Sequence, residues 1–367
     1  MRLFSTEQVS KYHPDKYADQ ISDAIVTACL KEDPNSRVAC EVMVKDTTII
    51  LGGEIRTNAK VNYNQIARKV AQKLHYKANK VINLIGEQSN EIYEGTTKDN
   101  STIGAGDQGI MFGYACNETE SYLPYAFDLA NRIIHIIEQD VERNRYSILK
   151  GDAKTQITTD LDKQQNIGAI HTILISVCHK RGKKLELVKE YVKTLIEPLL
   201  KGFNGRLIIN PAGTWTIGGP IADCGITGRK IVCDQYGGFC PVGGGAFSGK
   251  DPSKVDRSAA YMARTMATDI IKNFKTIRTC QIQLAYAIGV AEPINMHILT
   301  DGVNAPDNVY RFIKAKYNLT PNAIIDTLEL SSWDYESVAE GCRFRFNTNW
   351  QSLAGLPANG GVREIEI

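Results

Sequence analysis

One pattern, a helix followed by two strands and a second helix, recurs three times along this chain of 367 residues. Apolar residues at helical spacing and strand-like runs place the copies at 7–74, 126–200 and 257–317. Their second helices begin roughly 120 residues apart, which is too far for a solenoid repeat and typical of small domains. Antiparallel strand pairs with helices on one face predict an α+β layered fold of three similar α/β units.

Composition excludes several classes of protein. The 43 Lys and Arg residues nearly balance the 41 Asp and Glu residues, so neither nucleic-acid binding nor an acidic tail is expected. No apolar run approaches the ~20 residues that cross a bilayer, and the N-terminus has no signal-peptide core. Nine cysteines without metal-ligand spacing indicate reduced thiols. These features predict a cytoplasmic protein without nucleic-acid or membrane partners.

The stretch Gly243–Ala260, GGGAFSGKDPSKVDRSAA, predicts an anion site at the start of a helix. Its glycines allow close backbone approach, and Asp251-Pro252 is a helix-start signal with proline in the first turn. Lys250, Lys254 and Asp256 are then expected at or within that turn. A Walker A loop is rejected because it needs Ser or Thr where Asp251 stands. The alternative is a flexible glycine loop before an ordinary helix.

Two further segments carry polar residues in suggestive places. His13-Pro14-Asp15-Lys16 precedes the first helix, where His13 has two possible roles, helix capping or chemistry, of which chemistry is favoured. The connector Gly86–Gly109 is long, polar and rich in glycine, which is compatible with either a lid or a linker.

Seven motifs together closely resemble the S-adenosylmethionine synthetase (methionine adenosyltransferase) family. They are HPDK at 13–16, GGE at 52–54, GAGDQGIMFGY at 104–114, DAK at 152–154, IGGPIADCGITGRK at 217–230, GGGAFSGKDPSKVDRSAAY at 243–261 and YAIGVAEP at 286–293. The resemblance implies intertwined units with pseudo-threefold symmetry and domains at 2–88, 104–216 and 217–356, with a gating loop and connector at 89–103. It also implies a homodimer or homotetramer whose active sites lie between subunits.

The reaction that the resemblance implies joins ATP and L-methionine. Methionine sulfur attacks C5′ of ATP, the triphosphate leaves, and the same site hydrolyses it to phosphate and diphosphate. Such a reaction needs alignment and stabilisation of the leaving charge, not a protein nucleophile. The implied catalytic residues are His13, Lys154, Asp223, Arg229 and Lys250. Contacts to ATP are implied for His13, Lys16, Asp152, Lys154, Thr214, Trp215, Asp223, Arg229, Lys230, Ala246 and Lys250.

Metal and methionine sites follow from the same motifs. Asp15 and Asp256, each near a helix start, are expected to hold Mg²⁺ through hard oxygen ligands. The resemblance assigns Glu41 to an activating K⁺ and places Asp107 in the active site. It assigns methionine to Glu54, Gln88, Asp223 and Lys254, and the family's gating loop to 88–98.

The chain departs from the family pattern at two places. Lys11-Tyr12 stand where the family usually has Glu-Gly, and Val242 stands where it usually has histidine. These changes affect expectations about substrate affinity, but the phosphate and metal residues are intact. The sequence leaves two alternatives to S-adenosylmethionine synthesis: an ATP or polyphosphate hydrolase or phosphotransferase, and a non-catalytic nucleotide-binding regulatory paralogue.

Overall fold

The computed structural model describes residues 2–87, 97–99, 102–161 and 167–344. Its helices α1–α9 are, in chain order, Pro14–Glu32, Tyr63–Lys73, Tyr125–Arg143, Leu185–Ile196, Ile231–Asp234, Val255–Asn273, Asp307–Lys316, Pro321–Thr327 and Tyr335–Val338. Its strands β1–β14 are Arg2–Val9, Arg37–Lys45, Thr48–Arg56, Lys80–Asn83, Thr97–Asp99, Thr102–Ile103, Gly109–Cys116, Leu149–Leu161, Ile167–His179, Arg206–Ile209, Gly225–Ile226, Thr279–Tyr286, Asn295–Thr300 and Val303–Asn304. Short 3-10 helices lie at Glu197–Leu200, Gly219–Ile221 and Leu330–Ser332.

Three four-stranded sheets form the framework. The N-terminal sheet has the order β11-β2-β3-β4, the central sheet β1-β8-β9-β10, and the C-terminal sheet β14-β13-β12-β7. The central antiparallel pair of each sheet, β2–β3, β8–β9 and β12–β13, is the strand pair predicted from the sequence. Mixed helices and sheets in three similar units confirm the predicted α+β layered fold.

The three sheets exchange strands in a cycle. Strand β1 leaves the N-terminal unit and pairs with β8 of the central sheet. Strand β7, from the predicted central segment 104–216, pairs with β12 of the C-terminal sheet, and β11, from the predicted segment 217–356, pairs with β2 of the N-terminal sheet. Each added strand is antiparallel to the first strand of the pair that it joins. Each unit thus gives one strand to the sheet of another unit, as the predicted intertwining with pseudo-threefold symmetry requires.

Several details differ from the sequence-based expectation. Strand β12 ends at Tyr286 rather than at Val290, because a turn with Gly289 at φ 72° follows it. Helix α4 ends at Ile196 and continues only as a 3-10 turn, where Pro198 has no N–H to donate. The outer strands β4 and β10 run parallel to their neighbours, although only antiparallel pairs were predicted.

Three helices of 19 residues each, α1, α3 and α6, pack against the sheets. Helix α1 contacts β2, α3 contacts β8, and α6 contacts both β7 and β12. One apolar core joins the N- and C-terminal units, and a second fills the central unit. No helix in the described part of the chain has the length and apolar character needed to cross a membrane.

Candidate active site

The N-terminus of helix α1 places His13 among other predicted site residues. His13 is the N-cap, and its Nδ1 accepts a hydrogen bond from the Asp15 backbone N–H at 3.2 Å. The capping role, considered the less favoured alternative, is therefore observed. Burial, with further contributions from the charges of Lys230 and Lys154, lowers the pKa of His13 to about 3. The ring is thus neutral at pH 7, and because Nδ1 accepts, its proton lies on Nε2.

Predicted site residues gather around His13 in a first group. It comprises His13, Asp15, Asp152, Lys154, Asp223, Arg229 and Lys230. Lys230 Nζ lies 2.5 Å from Asp15 Oδ2, and Arg229 Nε lies 3.9 Å from Asp15 Oδ1. The charges of Lys230, Lys154, Asp15 and Asp223 all act on the His13 ring. Three separate segments of the chain, at 13–15, 152–154 and 223–230, therefore bring ionisable groups to one place.

Asp152 is a buried carboxyl of the first group, and one of its two oxygens has no hydrogen-bond partner. It is 5 % exposed, its Oδ2 accepts the Gly219 N–H at 2.7 Å, and its Oδ1 is buried without a hydrogen-bond partner. Burial raises the pKa of Asp152 to about 6, partly offset by the Gly219 N–H and Lys154. An unsatisfied buried oxygen costs free energy unless a ligand supplies a donor. The arrangement therefore suits a carboxyl that binds a hydroxyl or amine.

A cavity of about 550 Å³ opens beside Asp152. Tyr12, Tyr17 and Tyr76 are among its lining residues, with Lys150 and Arg181 contributing positive charge. Tyr12 packs on Gly151, where an added Cβ would lie 2.5 Å from the Tyr12 ring. The tyrosine that departs from the family pattern is thus buried against the residue preceding Asp152.

The adjacent departure, Lys11, carries a charge that is neutralised locally. Its ammonium pairs with Glu142 and lies 3.5 Å from Glu340, and its backbone N–H donates to Glu138 at 2.6 Å. The extra lysine is therefore explained by its own ion pairs.

Trp215 and Thr214 lie after strand β10, near the end of β9. The Trp215 indole N–H donates to the Ile217 carbonyl at 2.6 Å, and its backbone N–H and carbonyl bond with His179. Trp215 is partly buried and Thr214 is exposed. One edge of the indole is therefore fixed by local bonds, which leaves adenine stacking as a prediction.

A second group of predicted residues lies along β2, β3 and the start of α6. It comprises Glu41, Glu54, Lys250, Lys254 and Asp256. The Lys250 ammonium pairs with Asp256, and Lys254 Nζ lies 2.7 Å from Asp251 Oδ2. Partial burial raises the pKa of Glu41, the charge of Glu54 raises it further, and Lys250 and Lys254 lower it.

The glycine-rich segment joins helix α6 differently from the prediction, because the helix begins later in the chain. Helix α6 begins at Val255 with Lys254 as N-cap, so Pro252 precedes the helix instead of lying in its first turn. Lys250 forms an isolated bridge with Ala39 of β2. Gly245 lies so close to Asp256 that an added Cβ would be 2.1 Å from the carboxyl carbon. The loop therefore packs against β2 and Asp256, and these contacts favour the ordered site over the flexible-loop alternative.

Two other predicted residues border the second group. Ala246 packs against Gly228, where an added Cβ would lie 2.5 Å from the Ala246 Cβ. Asp107 is exposed and follows Gly106, which lies beside Ser253 and Lys254. Gln88 and most of the predicted gating loop lie outside the described residues.

Lys16 occupies an environment that the sequence did not indicate. It is 0 % exposed, and its ammonium binds Asp19 at 2.9 Å and Asp234 at 2.6 Å. Arg343 lies 3.5 Å from the same Asp234 oxygen. Lys16 is thus part of a buried ion network, and the predicted contact with ATP has no support in this arrangement. The network itself was missed because its members are far apart in the chain.

The two groups do not share a polar contact among the described side chains. The charges with the largest effect on the pKa of His13 belong to the first group, and those with the largest effect on the pKa of Glu41 belong to the second. The predicted methionine residues are divided as well, with Asp223 in the first group and Glu54 and Lys254 in the second. Within the described part of the chain, no cluster of three or more His, Cys, Asp or Glu side chains could hold a metal by itself.

Comparisons with known proteins cover nearly the whole chain. The S-adenosylmethionine synthetase N-terminal, central and C-terminal domain families match residues 1–93, 102–215 and 217–352. An S-adenosylmethionine synthase of Mycoplasmopsis pulmonis is 43% identical over 342 residues, covering 91% of this chain and 90% of that protein. One of Helicobacter pylori strain J99 is 40% identical over 344 residues, covering 89% of each.

A solved structure of an unusual S-adenosylmethionine synthetase from Campylobacter jejuni is similar with a TM-score of 0.84. It has 34% sequence identity and covers 96% of this chain and 99% of that one. None of these matches favours the hydrolase or the regulatory alternative. The chain therefore belongs to the S-adenosylmethionine synthetase family, and the predicted enzyme class, a methionine adenosyltransferase, is confirmed.

Proposed function

We propose that this chain makes S-adenosylmethionine from ATP and L-methionine in a site completed by a second copy of itself. The observation that carries the proposal is the division of the predicted residues into two groups without a shared polar contact among the described side chains. A triphosphate needs the basic residues of both groups. A two-fold dimer would place the first group of one subunit opposite the second group of the other.

His13 is suited to assist the leaving group without changing charge. Its neutral ring holds Nδ1 in the helix cap, so Nε2–H remains as the donor. Attack of sulfur on C5′ breaks the C5′–O5′ bond and places negative charge on O5′ of the triphosphate. A donor aimed at developing charge contributes to rate because that interaction strengthens as the bond breaks.

The triphosphate would bind the basic side chains of both groups, Lys154, Arg229, Lys230 and Lys250. Lys230 pairs with Asp15, and Lys250 pairs with Asp256. Each pair combines one cation with one carboxylate. In a complex with substrate, the cation would bind a phosphate oxygen and the carboxylate would bind a metal ion. Electrostatic complementarity would then hold the polyanion in line for displacement.

Mg²⁺ would be held by Asp15 and Asp256, one carboxylate for each ion. The absence of any three-residue cluster among the described side chains fits this ion, which takes most of its ligands from phosphate oxygens and water. When bound, it would neutralise charge on the triphosphate. Glu41, whose carboxylate lies against Gly53, would contribute to a K⁺ site.

Methionine would lie where the two groups meet. Glu54 and Asp223 would receive its ammonium, and Lys254 would receive its carboxylate. Gln88 is proposed for the same pocket. Since Asp223 and Glu54 belong to different groups, the amino acid would bridge two subunits. A homodimer is the smallest assembly with this property, and a pair of dimers would preserve it; the assembly is proposed to be cytoplasmic.

Complementation between two inactive variants tests the proposal. Asparagine is a favourable N-cap, so His13→Asn keeps the cap and removes the imidazole donor, for which a loss of about 10²–10³-fold in kcat is expected. Lys250→Ala removes a cation of the second group. It should lower kcat strongly while changing the free energy of unfolding little. When the two variants are unfolded together and reassembled, about a quarter of wild-type activity should return, because half of the dimers then contain one intact site.

The measurement is the sulfonium product formed from ATP, methionine, Mg²⁺ and K⁺, together with phosphate and diphosphate. Each variant reassembled alone is the control. Recovery no higher than in those controls would contradict a site shared between copies. Phosphate release by the wild type without sulfonium product would contradict S-adenosylmethionine synthesis itself.

A further inference from the structure

Three carboxylates form a line on one face of helix α1. Asp15, Asp19 and Asp23 are four residues apart, so they project from successive turns of the same face. They are 2 %, 0 % and 0 % exposed, respectively. Buried like charges at this spacing repel one another unless each is compensated, so their partners indicate why the helix carries them.

Each carboxylate accepts a backbone N–H from a segment that carries predicted phosphate-binding residues. Asp15 Oδ1 accepts from Ile226 at 3.0 Å, and Asp19 Oδ1 accepts from Gly228 at 2.9 Å. Asp23 Oδ1 accepts from Gly249 at 2.9 Å. Gly228 immediately precedes Arg229, and Gly249 immediately precedes Lys250. The helix that begins at His13 thus holds both basic segments through their amides.

The backbone conformations of Gly228 and Gly249 are ones that favour glycine. Gly228 has φ 77° and Gly249 has φ 79°, conformations that side chains other than glycine rarely adopt. An added Cβ at Gly249 would lie 1.9 Å from the Cys40 carbonyl oxygen. The close contact and the left-handed turn direct each amide toward the helix.

Asp23 also holds the carbonyl side of Lys250. Its two oxygens bind Arg257 Nη2 at 2.8 and 2.6 Å, and Arg257 Nη1 donates to the Lys250 carbonyl at 2.8 Å. Arg343 Nη1 donates to Asp23 at 3.1 Å. The peptide group before Gly249 and the peptide group after Lys250 are therefore bound by one buried carboxylate, directly or through Arg257.

We propose that Asp19 and Asp23 are positioning residues. Asp19 holds the Arg229-Lys230 segment against helix α1 and Asp23 holds Lys250, so that each set of cations is fixed within the half of a shared site that the chain supplies. This inference rests on the proposed function for the identity of the ligand, a polyphosphate. Neither carboxylate contacts the substrate in this scheme. Loss of either bond would let a basic segment move, so the cations would no longer match the leaving triphosphate, and kcat would fall more than the affinity for methionine.

The test compares alanine with asparagine at each position. Both substitutions remove the charge, but asparagine keeps an oxygen that can accept the glycine N–H. Asp234 is the matched control, because it is buried in the same network and binds the side chains of Lys16 and Arg343. We expect Asp19→Ala and Asp23→Ala to lower kcat at least tenfold below Asp19→Asn and Asp23→Asn. Asp234→Ala and Asp234→Asn should be equal.

Binding of inorganic tripolyphosphate and amide hydrogen exchange complete the test. Tripolyphosphate should bind at least tenfold more weakly to the alanine variants than to the asparagine variants. Gly228 should exchange faster only in Asp19→Ala, and Gly249 only in Asp23→Ala. Equal kcat and equal binding in each alanine and asparagine pair, as at Asp234, would overturn the proposal.

If the alanine variants do not fold, the asparagine variants alone test the positioning role of Asp19 and Asp23. Protection of the Gly228 and Gly249 amides should persist in them, and kcat should stay within tenfold of wild type. A collapse of kcat with the amides still protected would assign the effect to charge and overturn the positioning role. If the wild type forms no sulfonium product, the proposed function fails, whereas exchange and tripolyphosphate binding still test the positioning.

Discussion

At the scale of single residues, His13 combines two roles through its two ring nitrogens. Nδ1 caps helix α1, and burial beside Lys230 and Lys154 keeps the ring neutral, so Nε2 carries the proton. The motif HPDK left a choice between capping and chemistry. The structure makes that choice unnecessary, because the cap fixes the tautomer that chemistry would need.

Asp152 gives a prediction at the same scale. Its folded-state pKa, about 6, is raised above the ordinary value of 3.8, so between these pH values the folded chain binds more protons than the unfolded chain. Its contribution to the free energy of unfolding therefore falls as pH rises through this window. The free energy of unfolding of Asp152→Asn minus that of wild type should therefore increase by about 1–1.5 kcal/mol from pH 5 to pH 7.5. The variant should also lose activity.

Urea unfolding at the two pH values, with variant and wild type measured in parallel, checks this expectation. The comparison at pH 5 serves as the internal control, since Asp152 is mostly protonated there in the folded chain. A variant whose stability difference from wild type is the same at both pH values would show that Asp152 is not held with a raised pKa.

At the scale of elements, the glycine-rich loop before α6 is a fixed structure. Its last glycine, Gly249, lies between β2 and helix α1, bonded to Cys40 on one side and to Asp23 on the other. The sequence predicted a glycine loop beside an anion site. It could not show which glycines are needed by close packing, because the contacting residues, Cys40 and Asp23, are more than 200 positions away in the chain.

Paired glycine substitutions test this distinction. Gly249 and Gly302 have nearly the same φ, 79° and 80°, but an added Cβ meets the Cys40 carbonyl only at Gly249 and has nothing within 4 Å at Gly302. Gly302→Ala should cost about 1–2 kcal/mol from backbone strain alone. Gly249→Ala should cost roughly 3 kcal/mol or more in thermal or urea unfolding. Equal losses would show that the loop can relax away from β2.

At the scale of the whole molecule, the cyclic exchange of β1, β7 and β11 makes the three units interdependent. Each four-stranded sheet is completed by a strand from another of the three predicted domain segments. A segment that matches one domain family is therefore not a self-contained folding unit. The domain boundaries at 2–88, 104–216 and 217–356 remain predictions about sequence segments.

The isolated segment 104–216 provides the corresponding prediction. It lacks β1, so the edge of the 13-residue strand β8 is uncovered, and its own β7 has no β12 to join. Uncovered edges of this length favour association between chains, so we expect aggregation or no cooperative urea unfolding by circular dichroism. Joining residues 2–9 through a flexible linker should restore cooperativity. Cooperative unfolding of the segment without β1 would contradict the interdependence.

The sequence alone determined the local elements, the repeated strand pairs and the motifs that identify the family. These depend on periodicity and on residue types within short windows, which a linear reading contains. Only the tertiary structure decided that His13 is neutral, that Lys16 is buried among carboxylates, and that the predicted residues form two groups. Those properties arise from burial and from charges brought together across distant parts of the chain. No local pattern encodes such contacts, because strand exchange and ion pairing are chosen by the energy of the whole fold.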